Sequence, residues 1–316
     1  MDSLTFFSYL PMPDATHYIG RFAPSPTGLL HDGSLVAAMA SYLDAKAHQG
    51  RWLVRMEDVD EARTAPGAAD AILNALSTLQ MVWDGTVVYQ SQRTDLYLDA
   101  FDKLGRLAYP CGCTRREIVD SQIGVASDGA AVYPGTCREG LPVGKPTRSY
   151  RLLVPDVGQA EELIRFEDRW QGVVQQHLAI EVGDFVLKRA DGFWTYQLAV
   201  VVDDAEQGVT HVVRGADLLD STARQIYLQR QLGLTTPSYL HVPVITNANG
   251  EKLSKQYDAQ PLDLTQPLQT LVKAAWFLGL EIGRVNSIEM FWPLAIAAWA
   301  GQRIERRSAA RFKTDL

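Results

Sequence analysis

The stretch Arg21-Phe22-Ala23-Pro24-Ser25-Pro26-Thr27-Gly28-Leu29-Leu30-His31-Asp32-Gly33-Ser34 decides how this chain is read. His17 to Phe22 reads as a strand and the Pro and Gly residues after it as a turn. Leu35, Ala38, Met39, Tyr42 and Leu43 then have the spacing of a helix that starts near Ser34. A helix N-terminus at the end of such a loop favours anions, because its backbone N–H groups are unpaired and the helix dipole is positive there. Gly33 would let a nucleotide approach the backbone, His31 would donate to phosphate oxygens, and Ser34 stands beside them. Far downstream, a strand from His241 to Thr246 and a turn from Asn247 to Gly250 lead into Lys252-Leu253-Ser254-Lys255-Gln256. If that loop returns to the same pocket, Lys252 and Lys255 supply positive charge where pyrophosphate develops. The two segments point to a site that activates a carboxylate with ATP.

Outward from this motif, Arg51 to Asp58 reads as a second strand ending in carboxylates, and Ala68 to Leu79 and Asp95 to Leu107 read as helices. Alternating strands and helices predict an α/β fold, a Rossmann-type doubly wound parallel sheet. Residues 1–16 read as an N-terminal extension and 17–108 as the first half of the nucleotide-binding domain. Residues 109–190 read as an insert holding all the cysteines, with strands at Tyr150 to Val154 and Phe185 to Arg189. The second half follows over 191–261: a turn at Asp191-Gly192, a helix over Trp194 to Val202, a strand over Val209 to Arg214 and a helix over Leu218 to Leu232. Residues 262–316 read as a helical C-terminal region with late basic residues at Arg303, Arg306, Arg307, Arg311 and Lys313.

The two motifs resemble the HIGH and KMSKS signatures of class I aminoacyl-tRNA synthetases, and the Arg-Phe-Ala-Pro-Ser-Pro-Thr-Gly start is specific to the glutamyl branch. At 316 residues the chain has room for a catalytic portion, an insert and a tail, but not for a separate anticodon-binding domain. The resemblance is therefore to the glutamyl-queuosine tRNA(Asp) synthetase family, over roughly residues 17 to 300. It implies two steps: L-glutamate is activated by ATP, with magnesium, and glutamate is then transferred to the queuosine of tRNA(Asp). A truncated glutamyl-tRNA synthetase, which would charge the acceptor end, and a non-catalytic tRNA-binding paralogue are the alternatives. Lys-Leu-Ser-Lys-Gln, where the ordinary enzyme usually ends in Arg, counts against the first. Intact His31, Gly33, Lys252 and Lys255 count against the second.

Glutamate brings two carboxylates and an ammonium, so its site should offer at least one Arg and an acceptor for the amine. By resemblance Arg21, Phe22, Ala23, Pro24, Ser25, Glu57, Tyr196 and Arg214 form that pocket. Arg21 and Arg214 each end a predicted strand, where ligands of open α/β sheets bind. Asp58 and Asp60 read as orienting the loop or capping the following helix, the cap being the preferred reading. Asp203, Asp204 and Glu206 read as solvated or helix-end carboxylates, and Trp170, Trp194, Trp276, Trp292 and Trp299 as core.

An odd set of cysteines, Cys111, Cys113 and Cys137, favours a metal or free thiols over disulfides. A tetrahedral zinc site needs a fourth ligand, and no histidine lies between His48 and His177. The resembled family uses Cys-x-Cys, a spacer, then Tyr-x-x-x-Cys. That pattern implies one structural zinc on Cys111, Cys113, Tyr133 and Cys137.

Hydrophobic residues make up 47% of the chain and charged ones 21%, and no uncharged apolar run approaches the roughly 20 residues that span a bilayer. The acidic start, Met1-Asp2, lacks the basic region of a signal peptide, so a cytoplasmic enzyme is expected. A net charge of −7 argues against a generally basic nucleic-acid binder, but a local basic face can still hold phosphates.

Overall fold

Two βαβ units set side by side build the catalytic sheet. In the computed structural model, which describes residues 18–126, 129, 131–141, 143–245 and 260–302, the first unit opens with β1 (Ile19–Phe22) and α1 (Asp32–Ala47). It continues through β2 (Arg51–Met56), α2 (Ala68–Thr78), β3 (Val88–Tyr89) and α3 (Thr94–Leu104). β1, β2 and β3 pair in parallel in that order. The turn into β2 is tight enough to exclude a side chain: a Cβ on Gly50 would fall 2.4 Å from the Tyr18 carbonyl oxygen.

Next come β4 (Ala108–Cys111), α4 (Arg115–Ser121), β5 (Ser149–Leu152), β6 (Leu163–Asp168), β7 (Gly172–His177) and β8 (Phe185–Lys188). Then α5 (Tyr196–Glu206), β9 (His211–Gly215), α6 (Leu219–Gln231) and β10 (Ser238–Val242) follow. β10 pairs in parallel with both β9 and β6, giving the order β7-β6-β10-β9. This half meets the first at β1 and β9, where the Thr210 N–H donates to the Ile19 carbonyl at 2.9 Å.

The stretch 109–190 divides between two sheets. β4, β5 and β8 form a separate antiparallel sheet, whereas the β6–β7 hairpin extends the catalytic sheet. No sequence reading placed these two strands. Their alternating exposure is that of an edge hairpin, with one face on the core and one in water. The strand expected over His241 to Thr246 lies earlier, at β10, with Pro243 following its last residue.

α7 (Pro267–Phe277) and α8 (Ile288–Gly301) complete the described chain and pack on the back of α1. α1 is buried on most sides, and its Asp44 ties the layers together. That carboxylate accepts from the Trp299 indole at 3.0 Å and from Tyr18 and Arg169. A buried carboxylate with several donors is a satisfied junction; removing it would strand each of them. Trp170, Trp194, Trp292 and Trp299 are buried as expected, but Trp276 is 61% exposed. Among the described residues, no helix is long and apolar enough to cross a membrane.

Candidate active site

A cavity of about 800 Å3 opens at the C-terminal ends of β1 and β9, where the two halves of the sheet meet. This is the crevice in which open α/β sheets bind ligands. Arg21, Phe22, Ala23, Pro24, Ser25, His31, Gly33, Ser34, Glu57, Tyr196 and Arg214 all line it. Every expected pocket residue that the structure describes therefore falls on one wall or another of a single cavity. Lys252 and Lys255 lie outside the described residues. On the two sides of that segment, Ile245 lines the cavity and Pro261 forms a β-bridge with His31.

The helix at the motif begins two residues earlier than its apolar spacing suggests, at Asp32, because His31 is its cap. His31 Nδ1 accepts from the Ser34 N–H at 3.3 Å, and the Ser34 hydroxyl accepts from the His31 N–H at 2.7 Å. Capping through Nδ1 leaves the proton of a neutral imidazole on Nε2. The loop before it is held by backbone bonds, from Glu57 N–H to the Pro24 carbonyl and from Ala65 N–H to the Pro26 carbonyl, both at 2.9 Å.

The two candidate arginines differ in charge environment. Arg21 is bidentate to Asp204, with Nε 3.0 Å from Oδ1 and Nη2 3.3 Å from Oδ2, so its charge is already matched. Arg214 is 5% exposed, and among the described residues its five N–H groups meet only neutral acceptors. These are His241 Nε2 at 2.9 Å, Tyr196 Oη at 3.1 Å, Gln225 Oε1 at 2.9 Å, the Leu218 carbonyl at 3.3 Å and Thr222 Oγ1 at 2.9 Å. A buried guanidinium with no carboxylate in its hydrogen-bond set is costly, and suits a site that an anionic ligand completes.

Arg214 is aimed by a buried relay. His241 Nδ1 lies 2.7 Å from Asp168 Oδ2, which fixes the tautomer whose Nε2 accepts from Arg214. Burial and the nearby Arg214 push the His241 imidazole down to about 4, against the pull of Asp168, so the ring is neutral. Asp168 also accepts from the Trp170 and Gln171 N–H groups at 2.9 and 2.8 Å, tying the β6–β7 turn to the relay.

Beneath the cavity lies a compact charge cluster. Arg55, fully buried, donates to Asp204 at 2.8 Å and lies 3.5 Å from Glu57. Arg93 and Gln90 hold Asp203 at 2.6 and 2.8 Å. Despite burial, Arg21 and Arg55 keep Asp204 below the usual carboxylate range. Glu57 goes the other way, pushed up to about 7 by burial and by Asp204 and Asp203, against Arg55 and Arg21. It is the one carboxylate of this cluster that both lines the cavity and sits near neutrality.

In the antiparallel sheet the Sγ atoms of Cys111, Cys113 and Cys137 lie within 4.8 Å of one another. The Tyr133 hydroxyl is 3.4 Å from Cys111 Sγ and 3.5 Å from Cys113 Sγ, and Cys113 and Cys137 are 3.6 Å apart. A tetrahedron with roughly 2.3 Å metal–sulfur and 2.0 Å metal–oxygen bonds has edges of about 3.8 Å between sulfurs and about 3.5 Å from sulfur to oxygen. The Tyr133–Cys111, Tyr133–Cys113 and Cys113–Cys137 distances fit that figure. Arg151 lies 4.0 Å over the Tyr133 ring. Burial raises the Cys111 thiol, but hydrogen bonding to Tyr133 and the Arg151 charge win and bring it down to about 7.

Residues 19–266 match the family described as tRNA synthetases class I (E and Q), catalytic domain. The chain belongs to this class I synthetase family. It is 67% identical over 283 residues to a glutamyl-Q tRNA(Asp) synthetase of Janthinobacterium sp. (strain Marseille), covering 90% of this chain and 97% of that one. A second glutamyl-Q tRNA(Asp) synthetase, from Verminephrobacter eiseniae (strain EF01-2), is 66% identical, with 90% and 98% coverage. The crystal structure of a glutamate-tRNA synthetase from Elizabethkingia anophelis superposes with a TM-score of 0.65 at 29% identity. That match covers 76% of this chain and 53% of the other, so the synthetase domain described here spans about half the length of that enzyme.

Several sequence readings of this synthetase domain need correction. Asp60 does not cap: its Oδ2 accepts from Arg63 at 2.8 Å and from Arg189. Asp58 accepts instead from Ser91 N–H at 2.9 Å and its hydroxyl at 2.7 Å. Asp203 and Asp204 are not solvated but buried, at 0% and 6% exposure, because three arginines converge on them. Glu206 is half exposed and pairs with Arg93. Arg55, Asp168 and His241 went unread. A charged residue at the centre of an otherwise apolar strand, as in Trp52-Leu53-Val54-Arg55-Met56, was the available signal for Arg55. Asp168 reads locally as no more than a turn aspartate, accepting from the Trp170 and Gln171 N–H groups, because its partner in the relay, His241, lies 73 residues away.

Proposed function

We propose that this protein activates L-glutamate with ATP and transfers it to the queuosine of tRNA(Asp), as the names of its relatives suggest. The observation that carries the first step is the cavity itself. It joins a helix N-terminus capped by His31, a buried Arg214 with no carboxylate partner among the described residues, and Glu57 poised near neutrality. Arg214 with Tyr196 takes one glutamate carboxylate, and Glu57, as its carboxylate, takes the ammonium. Arg21, neutralised by Asp204, shapes the wall with Phe22, Ala23, Pro24 and Ser25.

ATP, with magnesium, is the second substrate, and its phosphates lie at the start of α1 against His31, Gly33 and Ser34. A glutamate α-carboxylate oxygen attacks the α-phosphorus; the bond to the β-phosphate bridging oxygen breaks and pyrophosphate leaves. Lys252 and Lys255 steady that departing charge. A tRNA hydroxyl then attacks the acyl carbon, and AMP leaves. The protein contributes positioning and preorganised charge rather than a covalent intermediate.

The residues 109–190 act in this reading as an insert facing the tRNA. Zinc, when bound, would brace its sheet through Cys111, Cys113, Tyr133 and Cys137, with no open position left for catalysis. We place the reaction in the cytoplasm. The test is exchange of labelled pyrophosphate into ATP, which should require glutamate. Labelled glutamate should then pass to queuosine-bearing tRNA(Asp) whose terminal adenosine has been removed. Exchange with no amino acid rejects the activation step, and acceptance only by tRNA with an intact end rejects the transfer step.

A further inference from the structure

The cysteine cluster has a neighbour of opposite charge. β4 and β5 pair antiparallel, with Cys111 opposite Ser149 and Tyr109 opposite Arg151. Side chains two apart on a strand share a face, so Arg151 stands diagonally beside Cys111 on one side of the sheet. Its guanidinium carbon lies 4.0 Å from the centroid of the Tyr133 ring. Arg151 is 7% exposed and Tyr133 2%, so cation and ring meet away from water.

The charge of this arginine has no protein anion to answer it. Among the described residues its one hydrogen bond runs from Nη1 to the Asp184 carbonyl, at 2.6 Å, and no carboxylate pairs with it. Its Nε, also buried, has no hydrogen-bond partner among them. An arginine does not shed its proton to escape such a position, and a buried guanidinium without an anion is costly. Two further cations near the cluster are already matched. Lys145 donates to Glu117 at 2.5 Å, and Arg138 donates to Asp184 at 2.7 Å and to Asp156 at 2.5 Å. An unmet donor and an unpaired charge on one buried side chain both call for an anion.

A loaded metal site would be that anion. A divalent cation on three thiolates and one phenolate carries a net charge of about −2, because each ligand gives up its proton to solvent as the metal binds. We propose that Arg151 is the counter-charge of the zinc site: it offsets the excess negative charge of the four-ligand cluster and thereby sets how tightly the metal is held. Arg151 is not a ligand; it acts on the metal from outside the four donors, as the outer partners of metal sites do. This rests on the reading of Cys111, Cys113, Tyr133 and Cys137 as a zinc site and adds the residue that balances it.

The test uses the full chain loaded with zinc and a chelator of known affinity that competes for the metal. Arg151→Met keeps the aliphatic stem and removes the charge, whereas Arg151→Lys keeps the charge. The zinc dissociation constant should rise about 10- to 100-fold in Arg151→Met and recover at least in part in Arg151→Lys. Cobalt(II) put in place of zinc reports the ligand set through its visible absorption. That absorption should be typical of a tetrahedral thiolate site and the same in wild type and Arg151→Met. A zinc dissociation constant that is unchanged in Arg151→Met, or a Lys variant that binds no better than Met, overturns the proposal. A cobalt spectrum altered in Arg151→Met also overturns it, since the arginine would then shape the ligand set instead of balancing its charge. If Arg151→Met does not fold, Arg151→Gln, neutral and still a donor, decides by the same competition. Wild-type protein that holds neither zinc nor cobalt defeats the zinc reading itself, a result separate from equal affinities.

Discussion

Lowering the pH from 8 to 6 should cut the kcat/KM for glutamate in pyrophosphate exchange by about 10-fold. Glu57 is pushed up to about 7 in the free protein, by burial first and by Asp204 and Asp203 second. Only the carboxylate form attracts the substrate ammonium. With a midpoint near 7, the ionised fraction is about ten-elevenths at pH 8 and about one-eleventh at pH 6, and the ratio of those fractions is the expected loss. kcat/KM is the quantity to measure because it reports groups of the free enzyme, before the ammonium adds its own stabilisation. Glu57→Gln should have low activity and a flat profile over the same range. The stability of the protein should shift in the opposite sense. A carboxyl raised from 4.5 to about 7 on folding contributes stability that is present below its unfolded value and lost as pH rises through its folded one. Glu57→Gln should therefore melt above the wild type at pH 8, with the difference closing below about pH 4.5. A kcat/KM that is the same at pH 6 and pH 8 would refute the assignment of Glu57 as the ammonium partner.

Asp204→Asn should destabilise the fold by about 3–5 kcal/mol in urea titration, because it leaves the buried Arg21 and Arg55 without their shared anion. A loss within 1 kcal/mol, roughly the value of an exposed pair, would mean the cluster is far more solvated than its burial implies. Elemental analysis of protein purified without chelator should give one zinc per chain, and Cys137→Ser should lose it while weakening transfer more than activation. Zinc-free wild-type protein would count against the site. Lys255→Ala should lower the exchange kcat by about 10²–10³ with little change in the glutamate KM; a normal kcat would show that this lysine does not face the phosphates.

The parts of the site that could be read from sequence are those whose chemistry is local. The loop from Arg21 to Ser34 carries its turn residues, its anion-binding helix start and its first strand within one window, and the cavity forms around it. The spacing of Cys111, Cys113 and Cys137 left metal and free thiols both open, and only the resembled family's pattern added Tyr133; the four side chains do converge. What local pattern could not supply is pairing over distance. Asp204 looks like any carboxylate at the end of a helix until Arg21 is brought to it from 183 residues away. The β6–β7 hairpin reads as part of an insert because nothing within it announces that Tyr239 will pair with Asp168. The helix start was misplaced for a smaller reason: apolar spacing shows where a helix is buried, whereas its cap depends on one side-chain nitrogen.

Arg214 also bears on selection among amino acids. All five of its N–H groups are engaged by neutral partners, so the residue is held still, and among the described residues no carboxylate belongs to its hydrogen-bond set. Glutamine is nearly isosteric with glutamate and would occupy the same space. Its side-chain amide, however, brings no charge to a guanidinium already sheltered from water. Rejection of the neutral amide would then follow from the ground state of the empty pocket, without a closing loop or a second, corrective reaction.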